Sequence, residues 1–133
     1  NIPGPIKTNE LIRRAFEAGR KKILQSLEKM NAEINNILEN HEDTGDELLI
    51  SIKNLSPEEL KDLALKIENE FEIGRLFDID VIDSRGFKLS RKNFRKCIIC
   101  DKQAQDCARS RSHDVGEMQN AVENLIMRNI DII

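Results

Sequence analysis

The chain has no tryptophan and no tyrosine, and its five phenylalanines leave aromatics at 4% of 133 residues. So few rings exclude a surface that reads nucleic acid by base stacking, and no nucleic-acid partner is expected. No run of about 18 apolar residues occurs, so no membrane-spanning segment is expected, and no signal peptide is visible. A disulfide framework is also missing. The cysteines number three, an odd count, and two of them stand as C-x-x-C. That pattern points to reduced thiols and a cytoplasmic setting. Charged residues make up 34% of the chain, yet the net charge is −3, so the molecule as a whole is no binder of polyanions.

The order of apolar residues predicts one α+β domain spanning residues 1–133, with a small sheet packed against about three helices. Pro3 and Pro5 make the opening NIPGPIK extended. A helix is expected near 9–40, capped by Thr8 or Asn9, with a break available at Gly19 or Asn31. A second is expected near 57–72, where Ser56, Pro57 and Glu59 form a start signal. A third is expected near 114–130, opened by Asp114 with Glu117. Strands are expected near 48–53, 76–82 and 86–89, the last two joined by the turn residues Asp83 to Gly86. His41, in the acidic loop HEDTGD, reads as a solvated side chain.

Charge is concentrated late in the chain. Between Arg85 and Arg111 nine basic residues, Lys92 among them, face only Asp101 and Asp106. Such an excess inside an acidic protein suggests an anionic ligand, or else a solvated loop. Three constellations sit in or beside this region. In a strand, Asp78 and Asp80 would share one face while Phe77, Ile79 and Val81 turn to the core. Paired carboxylates there suit Mg²⁺ carrying a polyphosphate, or are acids on a wet strand face. Cys97, Cys100, Cys107 and His113 follow the spacing C-x2-C-x6-C-x5-H. Those are ligands for a closed structural Zn²⁺ site, or a set of buried thiols. Arg109, Arg111 and His113 would point the same way if extended, as a phosphate grip with a titratable neighbour. His113 cannot serve both as a zinc ligand and as a general base.

The blocks NIPGPIK, GRLFDIDV at Gly74–Val81, and RKCIIC with CARSRSH between Arg95 and His113 occur in this order across nearly the whole chain. Together they resemble the apo-citrate lyase phosphoribosyl-dephospho-CoA transferases, the holo-acyl-carrier-protein synthases of citrate lyase. Members of that family carry a further segment before the first block, so the resemblance implies a single transferase domain lacking that segment. It also implies transfer of phosphoribosyl-dephospho-CoA from 2′-(5″-triphosphoribosyl)-3′-dephospho-CoA to a serine of the citrate lyase acyl carrier protein, with loss of pyrophosphate. Asp78 and Asp80 would then hold Mg²⁺ against the triphosphate. Arg109 and Arg111, with Arg75 and Arg91, would bind the substrate phosphates, and an aspartate or His113 would accept the serine proton. The alternative is a non-enzymatic zinc-binding interaction module, in which Asp78 and Asp80 have no role.

Overall fold

The computed structural model describes residues 2–91 and 94–133, so Lys92 of the basic run lies outside the described residues. Its order is α1 (Glu10–Lys29), β1 (Ile34–Glu42), β2 (Gly45–Ile52), α2 (Pro57–Glu70), a 3-10 turn (Glu72–Leu76), α3 (Ala104–Ser110) and α4 (Val115–Arg128). Helices on a two-stranded antiparallel sheet make this a small α+β fold.

The helix starts follow the local chemistry. Asn9 caps α1 by accepting the Ile12 amide at 2.9 Å. Ser56 and Glu59 exchange both bonds of a capping box around Pro57. Asp114 accepts the Glu117 amide at 2.7 Å at the start of α4.

The first helix is shorter than the spacing suggests. Instead of running from 9 to 40 it stops at Lys29, and Asn31 takes a left-handed φ of 55° that turns the chain out. Gly19 does not break it. The Phe77 ring packs there so closely that an added Cβ would lie 2.5 Å from it. Beyond the turn, Ile34, Ile37 and Leu38 belong to β1, where they pair with Ile52, Ile50 and Leu49. Their three-and-four spacing imitates a helix. A register irregularity between Ile34 and Asn36 keeps the paired arrangement possible.

The strands expected near 76–82 and 86–89 do not form a ladder. A single antiparallel bridge, Ile82 to Lys88, stands in their place. Asp83 shapes the turn, accepting the Arg85 and Phe87 amides with Oδ1, while Gly86 adopts a φ of 89°. The core lies elsewhere, among Ala15 of α1, Ile73 and Leu76 of the 3-10 turn, and Val122, Leu125 and Ile126 of α4. Gly74 lets that turn press against α2, since a Cβ there would lie 2.2 Å from the Ile67 carbonyl oxygen.

His41 is not a free loop side chain. Its Nδ1 is 2.8 Å from Asp46 Oδ1 and its Nε2 is 2.8 Å from Glu39 Oε2, so both ring nitrogens donate in the imidazolium form. Arg13 grips Asp46 and Arg20 grips Glu39, which ties the hairpin to α1. The hydrogen bonds to Asp46 and Glu39 raise the His41 pKa above its ordinary 6.5, and those from Arg20 and His41 lower that of Glu39. A raised folded-state value means the stabilisation is complete below pH 6.5 and fades as pH climbs through the folded value. Thermal melts of wild type and His41→Gln should therefore differ most at about pH 6 and converge towards about pH 9. A gap that stays constant across that range would disprove a charged His41 tie.

Candidate active site

Residues 77 to 103 have no helix and no strand ladder among the described residues, only two isolated bridges and a few turn bonds, so side chains add to what holds them. The principal tether is Glu68 of α2, which is 4% exposed. Its Oε1 accepts the Ile79 amide at 3.1 Å and its Oε2 pairs with the Arg91 guanidinium. Sequence reasoning missed Glu68. The available signal was its place on the apolar stripe of α2, four residues after Ala64 and three before Phe71.

With Ile79 held, the GRLFDIDV block runs extended. Phe77 and Ile79 are half-buried and Val81 is buried, while Asp78 and Asp80 are exposed. The alternation expected of a strand is present although the strand is not. Asp78 is 65% exposed in its side chain, with Arg95 Nη1 at 3.7 Å. Asp80 is 46% exposed, with Lys88 Nζ at 3.4 Å. Two outward carboxylates with free oxygen lone pairs are a fitting donor set for a hard divalent cation.

Two arginines stitch this block to the cysteine segment by exchanging contacts. Arg75 donates through Nη2 to the Lys96 carbonyl at 2.6 Å. Arg95 donates through Nη2 to the Arg75 carbonyl at 2.7 Å. Arg95 Nη1 is buried, faces Asp78 and has no hydrogen-bond partner. Arg95 was not among the residues singled out from the sequence, because its importance lies in a contact twenty residues away.

The expectation that Arg109, Arg111 and His113 share one extended face does not hold. Arg109 lies in the last turn of α3 and Arg111 is its left-handed cap, with φ 50°. Both arginines are exposed. Arg91 is committed to Glu68, and Arg75 to a backbone carbonyl.

His113 joins the cysteines instead. One ligand atom each from Cys97, Cys100, Cys107 and His113 lies within 4.8 Å of the others. Cys97 and Cys107 are buried, all three thiols are unbridged, and the Cys100 and Cys107 sulfurs are 3.5 Å apart. The His113 imidazole beside it lowers the Cys100 thiol to about 7, and the neighbouring Cys100 sulfur pushes Cys107 up to about 11. This group of three cysteines and one histidine can hold a metal ion.

Asp78 and Asp80 stand exposed at the surface. A concavity of roughly 500 Å³ along α1, between Arg14, Arg20, Lys21, Leu24 and Ile133, contains none of these residues. No helix among the described residues is long and apolar enough to cross a membrane.

The profile of the CitX family, described as apo-citrate lyase phosphoribosyl-dephospho-CoA transferase, matches residues 1–129. A Vibrio cholerae serotype O1 (strain M66-2) protein named "Probable apo-citrate lyase phosphoribosyl-dephospho-CoA transferase" is 34% identical over 129 residues, covering 94% of this chain and 72% of its own length. The apo-citrate lyase phosphoribosyl-dephospho-CoA transferase of Citrobacter koseri is 32% identical over 128 residues, covering 93% of this chain and 69% of that protein. These matches favour an enzyme over a stand-alone zinc-binding module, and the chain belongs to the apo-citrate lyase phosphoribosyl-dephospho-CoA transferase family.

Proposed function

We propose that this chain transfers the phosphoribosyl-dephospho-CoA group from 2′-(5″-triphosphoribosyl)-3′-dephospho-CoA to a serine of the citrate lyase acyl carrier protein, in the cytoplasm. The observation that carries this reading is the family match over residues 1–129, within which an outward pair of carboxylates stands beside a basic segment. The serine oxygen forms a bond to the α-phosphorus, the bond from that phosphorus to the bridging oxygen breaks, and pyrophosphate leaves. The serine proton passes to a carboxylate. Such a reaction is governed by charge neutralisation and orientation, with no covalent enzyme intermediate. An exposed acid pair is suited to a protein acceptor, since a serine on another domain must reach the phosphorus.

Asp78 and Asp80 would hold Mg²⁺, which when bound supplies positive charge to the triphosphate oxygens. Arg109 and Arg111 offer exposed guanidinium groups for the departing pyrophosphate. Arg75 and Arg91 act one step back, holding the backbone and Glu68 that shape the acid pair. His113 lies among the thiols with a buried Nε2, so proton acceptance falls to Asp78 or Asp80. The cysteine–histidine group, taken as a Zn²⁺ site, stands outside this chemistry.

The reaction class is tested by mass spectrometry of the carrier subunit after incubation with this protein, the triphosphoribosyl precursor and Mg²⁺. The expected result is one phosphoribosyl-dephospho-CoA on the acceptor serine, and an unchanged mass would refute the reading.

Asp78→Asn and Asp80→Asn remove charge with little change of shape. Each should lower turnover by about two or more orders of magnitude with the thermal midpoint nearly unchanged. Near-normal turnover of both variants at every Mg²⁺ concentration would remove the pair from the chemistry.

Arg109→Lys and Arg111→Lys keep the charge but lose the planar two-pronged contact. Each should raise KM for the triphosphoribosyl substrate on the order of tenfold, leaving KM for the carrier protein alone. Steady-state kinetics with each substrate varied in turn checks this, and unchanged constants for both would assign the two arginines to solvent.

A further inference from the structure

We propose that Cys97 Sγ, Cys100 Sγ, Cys107 Sγ and His113 Nε2 are the four ligands of a closed, structural Zn²⁺ centre. This goes beyond the transferase reading and does not depend on it. The four residues come from three separate local pieces. Cys97 and Cys100 lie on a tight knuckle, closed by the Cys97 amide donating to the Lys102 carbonyl at 2.8 Å and by the antiparallel bridge from Lys96 to Gln103. Cys107 points inward from α3, and His113 immediately precedes the cap of α4. Nothing in the apolar core requires these pieces to converge, since only Ile98 of the knuckle packs against the central cluster.

They nevertheless bring four donor atoms to within 4.8 Å of one another. A tetrahedral ion with Zn–S bonds near 2.3 Å has ligand-to-ligand edges of about 3.7 Å. The 3.5 Å separation of the Cys100 and Cys107 sulfurs already matches such an edge, and the widest pair needs to close by about 1 Å.

Two further details point to an ion and not to filler thiols. His113 is 16% exposed in its side chain, with Nδ1 on the side of Glu117 Oε2 at 3.6 Å. Its Nε2 is buried and makes no hydrogen bond of ordinary geometry, and the ring stands beside the Cys100 thiol. An orphaned polar atom inside a protein is costly, and coordination removes that cost. The Ile99 amide donates to Cys97 Sγ at 3.4 Å, a contact that suits a metal-bound thiolate.

The charge balance agrees. Three thiolates and a neutral imidazole around Zn²⁺ carry a net charge of about −1. From Lys96 to His113 the four cations Lys96, Lys102, Arg109 and Arg111 outnumber Asp101 and Asp106 by two. Soft sulfur donors select zinc over the hard cation proposed for Asp78 and Asp80. With four protein ligands no position remains for a water or substrate, so the ion cross-links the knuckle, α3 and the start of α4.

The full chain, purified without a metal-affinity tag from zinc-supplemented cells, should contain one zinc per chain by elemental analysis. Stripping it with a chelator should lower the thermal midpoint and make all three thiols reactive. Adding Co²⁺ back should give thiolate-to-cobalt charge-transfer bands with the intense d–d absorption of a tetrahedral site. Cys107→Ser should lose the metal, and His113→Ala should bind Co²⁺ at least tenfold more weakly. If those variants fail to fold, the cobalt titration of the stripped wild-type chain decides alone. Zinc far below stoichiometry with three thiols titrating freely in the native protein would overturn the proposal. So would a six-coordinate cobalt spectrum or stoichiometric iron in place of zinc.

Discussion

The buried carboxylate of Glu68 accepts the Ile79 amide with one oxygen and holds the Arg91 guanidinium with the other. The path of the chain through the site depends on this contact. From Phe77 to Gln103 the backbone has only two isolated bridges and no ladder among the described residues, so its shape relies in part on side chains. A carboxylate buried in α2 would be costly unpaired, and the two partners it recruits are what bring the loop onto the helix. Glu68 therefore determines which way Asp78 and Asp80 face, although it touches neither of them directly.

The second tether is the exchange between Arg75 and Arg95. Each guanidinium donates to a main-chain carbonyl of the other's neighbourhood, Arg75 to Lys96 and Arg95 to Arg75 itself. The acid pair and the cysteine knuckle are joined by these bonds, so order in one supports order in the other. A basic run in a chain of net charge −3 is thereby divided between two tasks. Arg91 and Arg95, together with Arg75 ahead of the run, hold the scaffold, while Arg109 and Arg111 remain exposed at the end of α3.

The chemistry of the cysteine segment and that of the acid pair separate cleanly on donor type. The carboxylate oxygens of Asp78 and Asp80 are exposed and incompletely surrounded. The thiols of Cys97, Cys100 and Cys107 and the imidazole of His113 converge on one another. His113, just before the cap of α4, stands with the thiols and not with Arg109 and Arg111.

The sequence by itself determined whatever depends on neighbours along the chain. Asn9, Ser56 and Asp114 cap helices as read, because capping is a contact over three residues. The four candidate metal ligands were legible as a spaced set because they lie within one segment of seventeen residues, Cys97 to His113. That Asp78 and Asp80 share one side follows from alternation in any extended chain. Contacts over long separations were decided only by the tertiary structure. The segment containing Ile34, Ile37 and Leu38 has apolar spacing that serves a helix or a strand, and pairing with Leu49, Ile50 and Ile52 settles it as β1. His41 became a tie to α1 through Asp46 and Glu39, and Glu68 became the anchor of the acid pair across eleven residues. Local pattern carries no record of which distant group will satisfy a buried charge, and here those distant pairings shape the site.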